Sequence, residues 1–160
     1  IRRLVLNDIG PNVPAEAMAP IAAYLGLDLR FATLVQLEAH LREIHAGFGP
    51  LDDATWRHLA RHSAVADGDG GRLHYDPAIR VPFQGTRGEA IDLWPLWEAI
   101  ACPVLALRGA TSAILPEAVA QAMTQRGPRA RLVTFGGVGH APALVDPAQI
   151  AAVHDWLAAP

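Results

Sequence analysis

Three short apolar runs punctuate the chain, and helical periodicity fills the intervals between them. Ile1–Leu6, Val104–Leu107 and Arg131–Phe135 predict β-strands, and the first two are apolar on consecutive positions, the pattern of strands in a parallel sheet covered on both faces. From Ala15 to Leu25, Met18, Ile21, Ala22 and Leu25 recur at helical spacing, with Pro20 to shorten or kink the helix and Gly26 to end it. Thr33 and Gln36 form a capping-box pattern at the head of the stripe Leu34, Leu37, Leu41 and Ile44. Asp52, with Leu51 and Trp56 as a hydrophobic staple, opens a third helix to about Ser63. These three helices predict a lid-like insertion without strands. The turn chemistry of Asp67–Gly71 then leads into Arg72–Tyr75, expected as one arm of a hairpin, and Pro77–Gly88 predicts a loop.

The remainder alternates strand and helix. Asp92 is placed to cap a helix holding Leu93, Leu96, Trp97 and Ile100. Pro116 suits the first turn of another, with Val119, Ala120 and Met123 inward and Gly127 as its stop. Asp146-Pro147 opens a last helix with Ile150, Val153 and Leu157 expected on its inner face. That rhythm is the one of parallel βαβ units, so the fold class is α/β with three parallel strands and a mostly helical insertion. The expected organisation is 1–12 as a core strand and turn, 13–88 as a helical cap, and 89–160 as the rest of the core. There is no internal repeat and no low-complexity tract.

Composition narrows the partners. The chain has 160 residues, 51% of them apolar, which suits an ordered core. A formal charge of −3 with dispersed basic residues gives no footprint for nucleic acid or an anionic membrane, so neither is expected as a partner. The single cysteine, Cys102, cannot form an internal disulfide and reads as a small buried apolar residue. No apolar run approaches bilayer length and no signal peptide stands at this N-terminus, so a cytoplasmic location is expected.

Candidate chemistry concentrates in Phe135-Gly136-Gly137-Val138-Gly139-His140-Ala141-Pro142. The glycines at 136, 137 and 139 are expected to adopt backbone angles closed to other residues and so swing His140 out over the sheet end as a base. Asn7-Asp8 sits where the first strand ends, and ligands of open α/β sheets bind at the carboxyl ends of strands. Asp8 therefore has two readings, an orienting acid for a histidine or a turn aspartate that bonds the amides of its own turn. His58 and His62, four apart on a helix, lack the glutamate of a metalloprotease helix, and a solvated face outweighs metal binding. Ala78 stands where a calcium loop needs its bidentate glutamate, which rejects calcium. Trp56 and Trp97 fall on core-facing positions; Trp94 and Phe83 are the candidates for lining a substrate pocket.

The order of Leu4–Pro11, Cys102–Ala113 and Gly137–Pro142 resembles the C-terminal half of an α/β-hydrolase that carries a helical cap. The resemblance covers nearly the whole chain. It implies a hydrolase of a small ester, C–C or related bond, with His140 as catalytic base and no cofactor or metal. It also implies a serine or aspartate nucleophile upstream, because no G-x-S-x-G elbow occurs in these residues. The expected partners are then a small-molecule substrate and the N-terminal half of the same fold, with homo-oligomer formation left open. Ala113 stands where the family pattern supplies the aspartate that orients the histidine. In a subset of haloalkane dehalogenases of this architecture, the acid instead follows the strand that Asp8 follows here. A non-catalytic binding protein of the same fold, or an alanine introduced to trap substrate, are the other readings of position 113.

Overall fold

The computed structural model describes residues 1–67, 70–83 and 90–159, except for the side chains of residues 82 and 83. In chain order the elements are β1 (Leu4–Asn7), β2 (Asn12–Val13), α1 (Ala15–Tyr24), β3 (Arg30–Phe31), α2 (Leu34–Ile44), α3 (Asp53–Ser63), β4 (Ala64–Asp67) and β5 (Gly70–Leu73). They continue with β6 (Ile91–Asp92), α4 (Trp94–Glu98), β7 (Val104–Gly109), α5 (Glu117–Met123), β8 (Arg131–Phe135) and α6 (Pro147–Ala158), with 3-10 turns at Ala46–Phe48 and Pro77–Phe83. The chain divides into two compact units, one of Ile1–Met18, Gly47–Pro50 and Glu89–Pro160, the other of Ala19–Ala46 and Leu51–Gly88.

The first unit is built on a parallel sheet of order β1-β7-β8, in which Leu4 pairs with Val104 and Leu105 with Arg131. All six residues of β7 are buried, as the consecutive apolar pattern requires of a central parallel strand. β1 begins at Leu4 rather than at Ile1, which is 99% exposed, and its residues are only half-buried because the strand order puts it at the edge of this sheet. Ala120 and Met123 of α5 close over Val104, Ala106, Leu115 and Trp97, and full burial of each large apolar side chain there is worth about 2 kcal/mol. The indole Nε1 of Trp97 donates to the Arg126 carbonyl at 3.0 Å, which satisfies its one polar atom.

Two helices of this unit differ from expectation. α4 is five residues long, and Asp92 serves it from two positions ahead by accepting from the Trp94 amide at 3.1 Å. Of its expected inner residues only Trp97 is fully buried; Leu93 and Leu96 are exposed. α6 begins as expected, with Asp146 accepting from the Ala148 amide at 2.8 Å. Its inner face, however, is Gln149, Ala152, Val153 and Trp156, while Ile150 and Leu157 are exposed. The helix is rotated because Gln149 turns inward, its Oε1 accepting from the Leu144 amide at 2.8 Å.

The second unit holds α2 and α3 with a three-stranded antiparallel sheet of order β3-β5-β4, so the insertion is not free of strands. Two-residue β3 is too short to show alternation, and β5 opens on Gly70-Gly71, which read as turn residues. Both helix caps form as the pattern demands: Thr33 Oγ1 accepts from the Gln36 amide at 3.2 Å, and Asp52 Oδ1 from the Thr55 amide at 2.7 Å. Among its described residues the buried apolar side chains are Leu37, Leu41, Trp56, Ala60 and Leu73. Arg72 and Leu73 do form a hairpin arm, whereas Pro77–Phe83 coils into a 3-10 helix instead of a loop, and the rest of that expected loop, 84–88, lies outside the described residues. Among the described residues no helix is long and apolar enough to cross a membrane.

Candidate active site

The site starts from the end of β1. The Asp8 amide donates to the Leu107 carbonyl at 2.9 Å, which continues the β1–β7 ladder by one residue. At that residue the backbone turns left-handed, with φ of 56°, a conformation that aspartate tolerates better than most side chains. The turn buries the carboxylate completely. Oδ1 accepts from the Gly109 amide at 2.8 Å, and Oδ2 stands 2.8 Å from Nδ1 of His140. Neither contact is to an amide of its own turn. A buried carboxylate needs such bonds to offset its lost hydration, and both are of the strong, charge-assisted kind.

His140 is presented on a loop held from four directions. The Ala110 amide donates to the Phe135 carbonyl at 2.9 Å, extending the β7–β8 pairing. The amide and hydroxyl of Thr111 both donate to the Val138 carbonyl at 3.0 Å. The Gly139 amide donates to the Gly47 carbonyl at 2.6 Å. Beyond the histidine, Asn7 Nδ2 donates to the carbonyl of fully buried Pro142 at 3.0 Å. The imidazole itself remains 37% exposed. With Nδ1 against a carboxylate, the proton belongs on Nδ1 and the Nε2 lone pair is left to the solvent side.

The glycines of this loop do different work from that expected. Only Gly137 is left-handed, with φ of 70°. Gly139 is needed for proximity, since a Cβ there would meet the Gly47 backbone at 3.3 Å, and a Cβ on Gly136 would meet nothing within 4 Å. A more demanding glycine lies outside the loop: a Cβ on Gly109 would collide with the carbonyl oxygen of Gly139 and stand 2.7 Å from that of Val138. Sequence reading missed Gly109, Gly47, Thr111 and Asn7. The Arg108-Gly109 pair at a strand end was the available signal for the first.

Ala113 is exposed on the loop after β7, where Ser112 Oγ accepts from the Ile114 and Leu115 amides and Arg108 Nε donates to the Leu115 carbonyl at 2.9 Å. Its methyl offers a histidine nothing, and among the described residues Asp8 is the carboxylate bonded to His140. Trp94 packs on the Trp97–Met123 core cluster, with the Arg126 guanidinium 3.9 Å from its ring centroid. The side chain of Phe83 lies outside the described residues. His58 and His62 are exposed, with ring centroids 4.3 Å apart, and no group of three potential metal ligands occurs among the described residues.

Comparison with known proteins bears on the fold. No protein-family model matches the chain. It is 43% identical over 162 residues to a 3-hydroxybutyrate-oligomer hydrolase of Cupriavidus necator, a match that covers 94% of this chain and 55% of that protein. An α/β-hydrolase from Novosphingobium aromaticivorans superimposes with a TM-score of 0.84 at 36% identity, over 98% of this chain and 56% of its own. A protein of Rickettsia typhi described as a hydrolase gives 0.87 at 29% identity, over 98% and 53%. The chain thus spans about half the length of the relatives it matches. Its architecture is that of the C-terminal part of the α/β-hydrolase fold.

Proposed function

We propose that this chain supplies the general base, His140, and its orienting acid, Asp8, to an ester hydrolase whose nucleophile lies outside these residues. The observation that carries the reading is the Asp8–His140 contact of 2.8 Å, with the other carboxylate oxygen fixed by the Gly109 amide. Asp8 keeps the Nδ1 proton in place, so Nε2 is free to take the proton of a hydroxyl nucleophile as its oxygen attacks the ester carbonyl. The imidazolium, stabilised by Asp8, then returns that proton to the departing alkoxide. Water repeats the cycle: Nε2 takes its proton, hydroxide oxygen adds to the acyl carbon, and the nucleophile leaves reprotonated. With a carboxylate nucleophile the histidine would act in the water step alone.

The relative at 43% identity is named for hydrolysis of 3-hydroxybutyrate oligomers, which makes short 3-hydroxybutyrate ester oligomers the first substrates to try. The single cysteine, Cys102, half-buried and unpaired, supports a reducing compartment such as the cytoplasm. A doubly bonded buried carboxylate against a half-exposed imidazole also favours an enzyme over a binding protein of the same fold, since such pairs are costly to bury without a chemical use. The test is His140→Ala in the intact protein with those oligomers. Turnover should fall by about four orders of magnitude with the fold retained, and near-parent turnover would remove the assignment.

A further inference from the structure

The segment Gly47–Pro50 is packed with the first unit, although the chain on both sides of it, Ala19–Ala46 and Leu51–Gly88, builds the second. Within the first unit it does one well-defined thing. The Gly47 carbonyl receives the Gly139 amide at 2.6 Å, the shortest of the bonds that hold the histidine loop. A Cβ on Gly47 would lie 3.0 Å from the carbonyl oxygen of His140 and 3.2 Å from its nitrogen. Those distances are tighter than an ordinary methyl contact, so a methyl group there would require the His140 backbone to give by a few tenths of an ångström. Two residues on, Gly49 is left-handed with φ of 95°, and a Cβ there would stand 3.1 Å from Cγ2 of buried Val138.

We infer that Gly47 is a positioning residue for His140, setting the height of the imidazole against Asp8 from a stretch of chain that belongs in sequence to the insertion. This rests on the function proposed above. The loop has no regular secondary structure between β8 and α6, so its backbone is held by individual bonds and packing rather than by a helix or a sheet ladder. Thr111 and Ala110 hold it upstream of the histidine and Asn7 holds it downstream. Gly47 is the partner of the residue immediately before His140, and among the described residues no other backbone bond of the loop is made so close to that histidine. A shift of a few tenths of an ångström at the His140 backbone is passed to the ring as a change in the Nδ1–Asp8 distance. Reaction geometry is sensitive on that scale.

The test uses the intact protein with Gly47→Ala, Gly139→Ala and, as a control in the same loop, Gly136→Ala. Gly47→Ala should lower kcat about 100-fold with little change in KM, and Gly136→Ala should leave both unchanged. Gly139→Ala presses on the same contact from the other side at 3.3 Å, and it should give a smaller loss of about tenfold in the same parameter. It also provides the answer should Gly47→Ala not fold. A second readout does not depend on activity. The Nδ1 proton of His140, observed by NMR in protein labelled with 15N-histidine, should be a slowly exchanging low-field signal in the parent and in Gly136→Ala. It should be lost to exchange in the folded Gly47→Ala or Gly139→Ala protein. An unchanged Nδ1 signal together with parent-like kcat in those folded variants would overturn the inference. Failure of the underlying reading shows up separately, as an active His140→Ala enzyme.

Discussion

Asp8 and His140 are 132 residues apart in the chain and 2.8 Å apart in space. The contact joins the end of β1 to the loop after β8 across the end of β7, so it reports the strand order directly. Backbone sets most of this distance, through the left-handed turn at Asp8, the Gly109 amide beneath it and the amide bonds that fix the loop on the far side, and the Thr111 hydroxyl and Asn7 side chain add to it.

Gly109→Ala should be the most damaging small substitution in the first unit. Its methyl group would collide with the Gly139 carbonyl while the same residue's amide serves Asp8. Overpacking of this kind costs about 1–3 kcal/mol, and the His140 loop would have to move to relieve it. Thermal denaturation of the intact variant checks the stability loss, and its kcat should fall as well.

The loop glycines separate cleanly. Gly137→Ala forces an L-residue into φ of 70° and should cost about 1–2 kcal/mol. Gly136→Ala meets nothing and should fall within about 0.5 kcal/mol of the parent. Urea denaturation of the two variants side by side decides the matter; equal stability would contradict the assignment of the turn to Gly137.

How much of this was legible in the sequence follows from the range of the interactions involved. Helix caps at Thr33, Asp52 and Asp146 are local, and each forms as the pattern demanded. The buried strand β7 announces itself by composition alone. The expected inner face of α6 failed because Gln149, a polar residue, turns inward to serve the Leu144 amide, which no count of apolar positions could register. For Asp8 the local alternative and the distant partner weighed evenly in the sequence; the structure brings the distant one within bonding distance. Gly47 was illegible, and Gly109 showed only as an Arg-Gly pair at a strand end, because what each meets lies far along the chain. Their partners are backbone atoms, which carry no side-chain signature.

Acid should weaken the second unit at α3. The Thr55 amide, followed by its hydroxyl, holds the Asp52 carboxyl below the ordinary aspartate value. Its folded value is the depressed one, so the cap's contribution is complete above the unfolded value of about 3.9 and is lost as pH falls through it toward the folded value. Asp52→Asn keeps a capping oxygen without the charge. Between pH 5 and 2, about the range that brackets this titration, helix melting followed by circular dichroism should be less pH-dependent in Asp52→Asn than in the parent.

Ala113→Asp should add little to turnover. The position is exposed, and His140 already has a carboxylate on Nδ1. A large gain in kcat for this variant would show that the acid had been missing, and that Asp8 was a structural carboxylate only.

The most direct test is kcat of Asp8→Asn in the intact protein. Asparagine tolerates the left-handed backbone and can still accept from the Gly109 amide, so the change isolates the carboxylate's effect on the imidazole. An amide can stabilise the wrong imidazole tautomer and cannot offset the imidazolium charge, so kcat should fall by about four orders of magnitude with the thermal midpoint little changed. A variant that folds like the parent and retains kcat within about tenfold of it would contradict the role assigned to Asp8.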